Sequence, residues 1–488
     1  MATSKLPVET LPTWAMFNDV DLVDVEAREI PGCGLGLLVN KELSREEETF
    51  DIPTLLRIPH ELVLSAEAVE SYAKVDKNFR QLLDACGHKR EKSTRHDICL
   101  FLLTQMVLSD RPKTTMKGGV PTPWTEYVKF LPPQVPVTTL WTEQEREMLV
   151  GTSLESATAA KIVTLTDEFD ELRETSEALP FWNELFWESD KVSLIDWARV
   201  DAWFRSRCLE LPKSGEAMVP VLDLANHSAQ ANAYYEENSK DEVVLLLRPG
   251  CRVLSGDEMT ISYGDAKSGA EMLFSYGFID PASAADRITL PLAPLEDDPL
   301  GKAKLHIFGG APSVEFDRTN GTLSWKSPFA YFLCLNEEDG LDFRVLQDTG
   351  GSRELKVFWQ EEDVTDTTTS FEQHIDGHPL AQIFRLRVVT VLQDLVAGQL
   401  ERLATGMSLD DLDASLSEGG LICGACITAA ATLREQETSL LEAALKTLED
   451  QKTQLLADEN VVAYLGSMEV AQNELVEAEA SNDEEDFS

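Results

Sequence analysis

The stretch Val219-Pro220-Val221-Leu222-Asp223-Leu224-Ala225-Asn226-His227-Ser228 is mostly apolar and ends in three polar side chains. Its shortness and its β-branched and aliphatic residues predict a buried strand or extended segment rather than a helix. A turn closing such a strand is satisfied by Asn or Ser alone, which leaves the imidazole unexplained by local structure.

Around this stretch lies a chain of 488 residues, long enough for two or three domains. With 43% hydrophobic and 26% charged residues, most of it is expected to fold. Forty-two basic against 86 acidic side chains give a net charge of -44. Such a charge repels phosphate backbones and anionic membranes, so neither nucleic acid nor membrane is expected as a partner, while a basic protein would be attracted. Heavy acidity also serves plain solubility. No apolar run approaches the roughly 18 residues of a membrane span. The start, MATSKLPVETLPTWAMF, lacks a hydrophobic signal core, so the protein is expected in the cytoplasm, the nucleus or both.

The eight cysteines are scattered and read as reduced thiols. Cys423 and Cys426 form the one CxxC; with no second pair or nearby His it reads as a helix-start coincidence, and no metal site is expected. Asn226-His227-Ser228 and Asn320-Gly321-Thr322 match the glycosylation pattern, which a chain outside the secretory route cannot use.

Residues 21–59 alternate short apolar runs with turn signals and predict strands. Helical patterns follow over about 61–200, for example HDICLFLLTQMVL. Strands are predicted again at MVPVLDLA, EVVLLLRPG, RVLSGDEMTISYG and YGFID, so a helical insertion splits one β domain. Beyond about 290 the pattern is mixed and then helical. Leu433, Leu441, Leu445, Leu448 and Leu455 form one apolar helix stripe. The last residues are acidic and predict a solvated tail.

Three segments carry the chemistry. GCGLGLLV bears Gly32, Gly34 and Gly36 but is not a dinucleotide fingerprint; its glycines allow positive φ or close approach of backbone to a ligand. Asn226-His227 is the second. In the third, SGDEMTISYGD, alternation of Met259, Ile261 and Tyr263 turns the phenol inward, where it needs a hydrogen-bond partner.

A glycine-bearing first strand, Asn-His after a buried segment, and Ile-Ser-Tyr-Gly some thirty-odd residues on together resemble the SET-domain methyltransferases. FLPPQVPVTTLWTEQEREMLVGTSLES and AATLREQETSLLEAALKTLE resemble the branch typified by Rubisco large-subunit lysine methyltransferase. The resemblance covers roughly residues 20–460.

It implies an α+β fold: a β-rich SET domain over 20–285 with the helical insertion, a mainly helical substrate-binding domain over 286–470, and a disordered tail over 471–488. It implies S-adenosylmethionine as cofactor, held by Cys33, Gly34, Leu35 and Gly36 through backbone and by Arg207, Asn226, His227, Tyr276 and Phe278. Asn226 and His227 would lie in a knot-like crossing, which accounts for the polar end of the opening stretch. Tyr263 would be catalytic, and main-chain oxygens of Ser206 and Asp223 would cage the target nitrogen. The expected activity is protein-lysine N-methylation, by a monomer, of a basic, non-histone protein. The zinc-binding cysteines that follow the SET core in histone-type relatives are missing after Phe278. Histidine methylation, or a SET fold that binds without turnover, are the alternatives the resemblance leaves open.

Overall fold

The structure is a computed structural model describing residues 5–47, 52–87, 93–110, 119–188, 192–283, 285–295, 297–347, 352–406 and 423–468. The acidic tail expected over 471–488 lies outside the described residues. The contacts gather into two compact units. Among the described residues, one draws on 5–147, 154–283 and 423–429, and the other on 148–153, 285–406 and 430–468.

In the first unit, short strands from either side of the helical segment interleave. Thr54–Ile58 pairs antiparallel with Val243–Leu247, flanked by Asp21–Leu22 and Ala233–Glu237. The helical segment, from Ala66 to Arg207, is spliced between these partners. Its core is aromatic, with Trp182, Trp197 and Trp203 fully buried.

A second four-stranded sheet organises the site. β1 (Val25–Ile30) and β2 (Gly34–Val39) form a hairpin whose turn uses positive φ at Gly32 and Gly34, a conformation that suits a residue without Cβ. β3 is the two-residue strand Asn226–His227, and β4 is Glu258–Ile261. The order is β1-β2-β4-β3, with β2 antiparallel and β3 parallel to β4. Met259 and Ile261 are buried, as their alternation requires.

Two strand expectations fail. MVPVLDLA is not one strand: Gly215–Met218 pairs, but Val221 then takes φ 72° and Leu222–Leu224 turns as a 3-10 helix. Tertiary hydrogen bonds override β propensity there, as described below. YGFID is not a strand either. Tyr276 ends a helix, and Gly277 closes it in the left-handed region at φ 84°, where a Cβ would lie 2.7 Å from the carbonyl carbon of Pro136.

Three helices of this unit bear on the site. α1 (Pro123–Tyr127) is short and starts with proline. α2 (Leu194–Arg207) begins where the Ser193 N–H donates to Asp196, and ends with Arg205 and Arg207 in the last turn, where cations suit the helix dipole. α3 (Gly269–Tyr276) begins with a capping box of Ser268 and Glu271.

The second unit holds two three-stranded antiparallel sheets before its long helices. In one of them β5 (Arg287–Pro291), β6 (Ser313–Thr319) and β7 (Thr322–Lys326) lie in sequence order. Helix α4 (Ala381–Thr405) follows, then α5 (Gly424–Leu456), which Cys423 immediately precedes. On the leucine stripe, Leu433, Leu441 and Leu448 are buried, and Leu445 and Leu455 are half-buried.

Candidate active site

The parallel pairing of β3 with β4 sets Asn226 beside Thr260 and His227 beside Ile261. The Asn226 amide therefore reaches across the sheet, donating to Glu258 Oε1 at 2.7 Å and to the Leu35 carbonyl at 3.3 Å. Gly36, one residue on, is buried because Asn226 Nδ2 and Glu258 would lie 3.0 and 2.9 Å from any Cβ placed there, and Ile30 Cδ1 2.2 Å. His227 Nδ1 accepts the backbone N–H of Tyr263 at 3.0 Å. That fixes the tautomer: Nε2 carries the hydrogen and donates to Asp280 Oδ2 at 3.1 Å. The segment 226–228 is thus held from one side by residues 258–263 and from the other by Asp280.

The Tyr263 hydroxyl donates to the Ala225 carbonyl at 2.9 Å. Burial raises this phenol well above its ordinary range, against the nearby Arg207 charge, so it is a proton-bearing donor at neutral pH. Tyr276 lies 4.6 Å from it, ring centre to ring centre; its hydroxyl approaches the Tyr263 carbonyl at 3.4 Å, and burial pushes its pKa up to about 12. Phe278 completes the aromatic wall, 6.4 Å from Tyr263 and 6.0 Å from His227.

These groups border a cavity of about 350 Å³. Of the residues expected at the site, Ser206, Arg207, Asp223, Tyr263 and Tyr276 line it. Cys33, Gly34, Leu35, Gly36, Asn226, His227 and Phe278 do not. His227 and Phe278 pack against Tyr263, Leu35 and Gly36 lie against Asn226, and Cys33 and Gly34 stand exposed in the β1–β2 turn. Sequence reasoning missed Tyr235 and Lys267, which also line the cavity; the Lys267 ammonium sits 5.8 Å over the Tyr276 ring. It missed Asp280 too, the last residue of YGFID.

Arg205 and Arg207, two residues apart at the end of α2, do different work. Arg205 joins elements: it bonds Asp201 at 2.8 Å, Thr139 Oγ1 at 2.7 Å and the Phe274 carbonyl of α3 at 2.5 Å. Asp201 is buried, which alone would raise its pKa, yet Arg205, Arg95 and Lys161 hold it below the usual carboxylate range. Arg207 donates Nη1 to the Asp223 carbonyl at 2.7 Å and to its carboxylate at 3.1 Å. Its Nε–H is buried and has no partner among the described residues.

Behind Asp223 stands Tyr127, a fully buried residue of α1. Its hydroxyl donates to Asp223 Oδ1 and accepts the Val221 N–H at 2.7 Å. Val221 is β-branched and left-handed, which costs on the order of 1–3 kcal/mol and persists where the surroundings over-determine it. The buried acceptor and donor that Tyr127 satisfies are worth a comparable amount, which accounts for the turn replacing a strand. Burial raises the Asp223 carboxyl, opposed by Arg207 and by the phenol.

The donor set fits S-adenosylmethionine. The cofactor carboxylate would satisfy the unpartnered Arg207 Nε–H, and a buried donor without an acceptor is costly.

No protein-family profile matches the chain. It is 29% identical over 422 residues to SET domain-containing protein 8 of Schizosaccharomyces pombe, covering 85% of this chain and 90% of that protein. It is 26% identical to the chloroplastic ribulose-1,5 bisphosphate carboxylase/oxygenase large subunit N-methyltransferase of Nicotiana tabacum, over 62% of this chain and 57% of the plant protein. A chloroplastic [fructose-bisphosphate aldolase]-lysine N-methyltransferase of Arabidopsis thaliana is 25% identical, with 63% and 59% covered. Among solved structures, the SET domain of LSMT bound to lysine and AdoHcy superposes with a TM-score of 0.67 at 23% identity, covering 92% of each chain. The same fold recurs in Rubisco LSMT bound to AdoMet, with a TM-score of 0.66 at 23% identity, covering 92% of this chain and 93% of that one. The chain is thus similar to a SET domain-containing protein and to Rubisco large-subunit N-methyltransferases, and it shares the fold of the LSMT SET domain.

Proposed function

We propose that this protein is an S-adenosylmethionine-dependent protein-lysine N-methyltransferase acting on a non-histone protein. The observation that carries the reading is the convergence of the Tyr263 hydroxyl, Arg207 and Tyr276 on one cavity, backed by the Asn226–His227 crossing. The lysine N-methyltransferase of Arabidopsis supports the choice of acceptor, and so does the lysine bound in the LSMT structure.

S-adenosylmethionine, when bound, supplies a methyl group on a positively charged sulfur. The chain's own groups do the rest. Arg207, Asn226 and the backbone of Cys33, Gly34, Leu35 and Gly36 would hold the donor, and His227, Tyr276 and Phe278 would shape its enclosure. Tyr263 and the carbonyls of Ser206 and Asp223 orient the acceptor nitrogen. Tyr263 stays protonated because burial raises it, so it orients without competing as an anion. An amine facing that positive sulfur would lose its proton more readily, since like charges depress an ammonium pKa. Holding the nitrogen in line is an entropic contribution of about 7 kcal/mol or more when well arranged.

The finer reading is of a monomer in the cytoplasm or nucleus, meeting a substrate that is basic around its target. The net charge of -44 supports the last point. Calorimetric titration with S-adenosylhomocysteine tests the donor site: binding near one per chain is expected. Failure to bind over a wide concentration range, by a folded sample, would overturn the assignment.

A further inference from the structure

Three features of the first unit share one cause. Val221, β-branched and fully buried, holds φ 72°. Tyr127, also fully buried, accepts the Val221 N–H and donates to Asp223. Arg207 spends Nη1 on both the carbonyl and the carboxylate of Asp223 while its buried Nε–H has no partner among the described residues. Tyr127 itself does not line the cavity.

We infer that Tyr127 is a positioning residue for the donor site: its phenol locks the left-handed turn at Val221 and the Asp223 carboxylate, and so sets how Arg207 presents its remaining donor. The inference rests on the proposed methyl-donor site for its ligand, but the lock belongs to the ligand-free chain. Without the hydroxyl, the buried Val221 N–H loses its 2.7 Å acceptor and keeps only the Asp223 carboxylate, and the turn can relax toward the extended backbone its side chain prefers. The Asp223 carboxylate then keeps Arg207 and the Val221 N–H as its hydrogen-bond partners. The groups facing this carboxylate are Tyr127 from α1, Arg207 from α2 and Tyr263 after β4. The phenol opposes burial in holding Asp223 ionised, so its removal makes Asp223 take up a proton at higher pH.

The test uses the full chain with Tyr127→Phe. In the ligand-free protein, amide hydrogen exchange over residues 219–227 should quicken at least tenfold while distant helices are unchanged. S-adenosylhomocysteine should bind at least tenfold more weakly, and the low-pH limb of its binding should move to higher pH, which a merely structural loss would not cause. Unchanged exchange overturns the lock, and faster exchange with affinity within twofold of wild type overturns the positioning role. Should Tyr127→Phe fail to fold, Asp223→Asn decides. At least tenfold weaker binding with the low-pH limb abolished supports the inference, and wild-type binding overturns it. If the unaltered protein binds no S-adenosylhomocysteine, the proposed function fails, and the exchange measurement alone decides the lock.

Discussion

The backbone N–H of Tyr263 donates to Nδ1 of His227 at 3.0 Å, so the residue that borders the cavity and the residue behind it are tied by the main chain of one and the side chain of the other. Nε2 must then carry the imidazole hydrogen that meets Asp280. Asp280→Asn sets an amide where two acceptors are needed, since Oδ1 already takes the Ala282 N–H. The expected loss is about 1–3 kcal/mol of stability, read by denaturant unfolding. Nitrogen NMR of the imidazole should show the single Nε2–H form in the wild type and a mixture in the variant.

Tyr263→Phe removes the hydroxyl bonded to the Ala225 carbonyl and keeps the ring packed against Tyr276. Single-turnover methyl transfer is expected to slow by about 100-fold or more, the scale set by removing one oriented donor. Binding of S-adenosylhomocysteine should stay within about threefold. Equal losses in both would mean that the phenol holds the donor rather than the acceptor.

Gly36→Ala forces a methyl group toward Ile30 Cδ1, Glu258 and Asn226. Overpacking predicts a loss of about 1–3 kcal/mol, with weakened cofactor binding as Asn226 shifts. Adding Ile30→Val deletes the atom 2.2 Å away and should recover much of the stability, seen as a rise in Tm, while the affinity stays low. Recovery of both would place the cost in packing alone. Gly34 has open space, so Gly34→Ala should cost only the backbone strain of φ 80°, about 1 kcal/mol.

Burial raises the phenols of Tyr263 and Tyr127, and takes Tyr276 to about 12. Folded values above the unfolded value near 10 mean that their contribution to stability is complete below about pH 10. It is lost as pH rises through the folded values. Unfolding free energy should therefore fall steeply from about pH 10 toward 12, and Tyr276→Phe should make the fall shallower. An unchanged slope in that variant would show that Tyr276 ionises normally.

Arg205→Lys keeps a cation for Asp201 but cannot also reach Thr139 and the Phe274 carbonyl with a fork. Because Ser206 and Arg207 follow it and Tyr276 lies two residues beyond Phe274, the cavity walls should loosen. Methyl transfer is expected to drop about tenfold, measured on the variant after its Tm confirms folding.

What could be read from the sequence was chemistry with a local imprint. Asn226-His227 and Tyr263 stood out because polar groups at the end of apolar runs have no local use, and Gly34 and Gly36 because glycine is costly in a strand. The turn at Val221 was hidden: the force that bends an aliphatic stretch comes from Tyr127, 94 residues earlier. Asp280, 53 residues from His227, was hidden for the same reason. Asn320-Gly321 was noticed only as a glycosylation pattern. It is a two-residue hairpin turn between β6 and β7, with φ 52° and 76°, the strongest local signal for the sheets of the second unit.

The most direct measurement incubates the protein with methyl-labelled S-adenosylmethionine and extract of its own cells, isolates the labelled protein band and hydrolyses it in acid. Label recovered as methyl-lysine, and lost when Tyr263→Phe replaces the wild type, is the expected result. Label in methyl-histidine would move the acceptor to a ring nitrogen, and no label in any extract despite tight S-adenosylhomocysteine binding would contradict catalysis altogether.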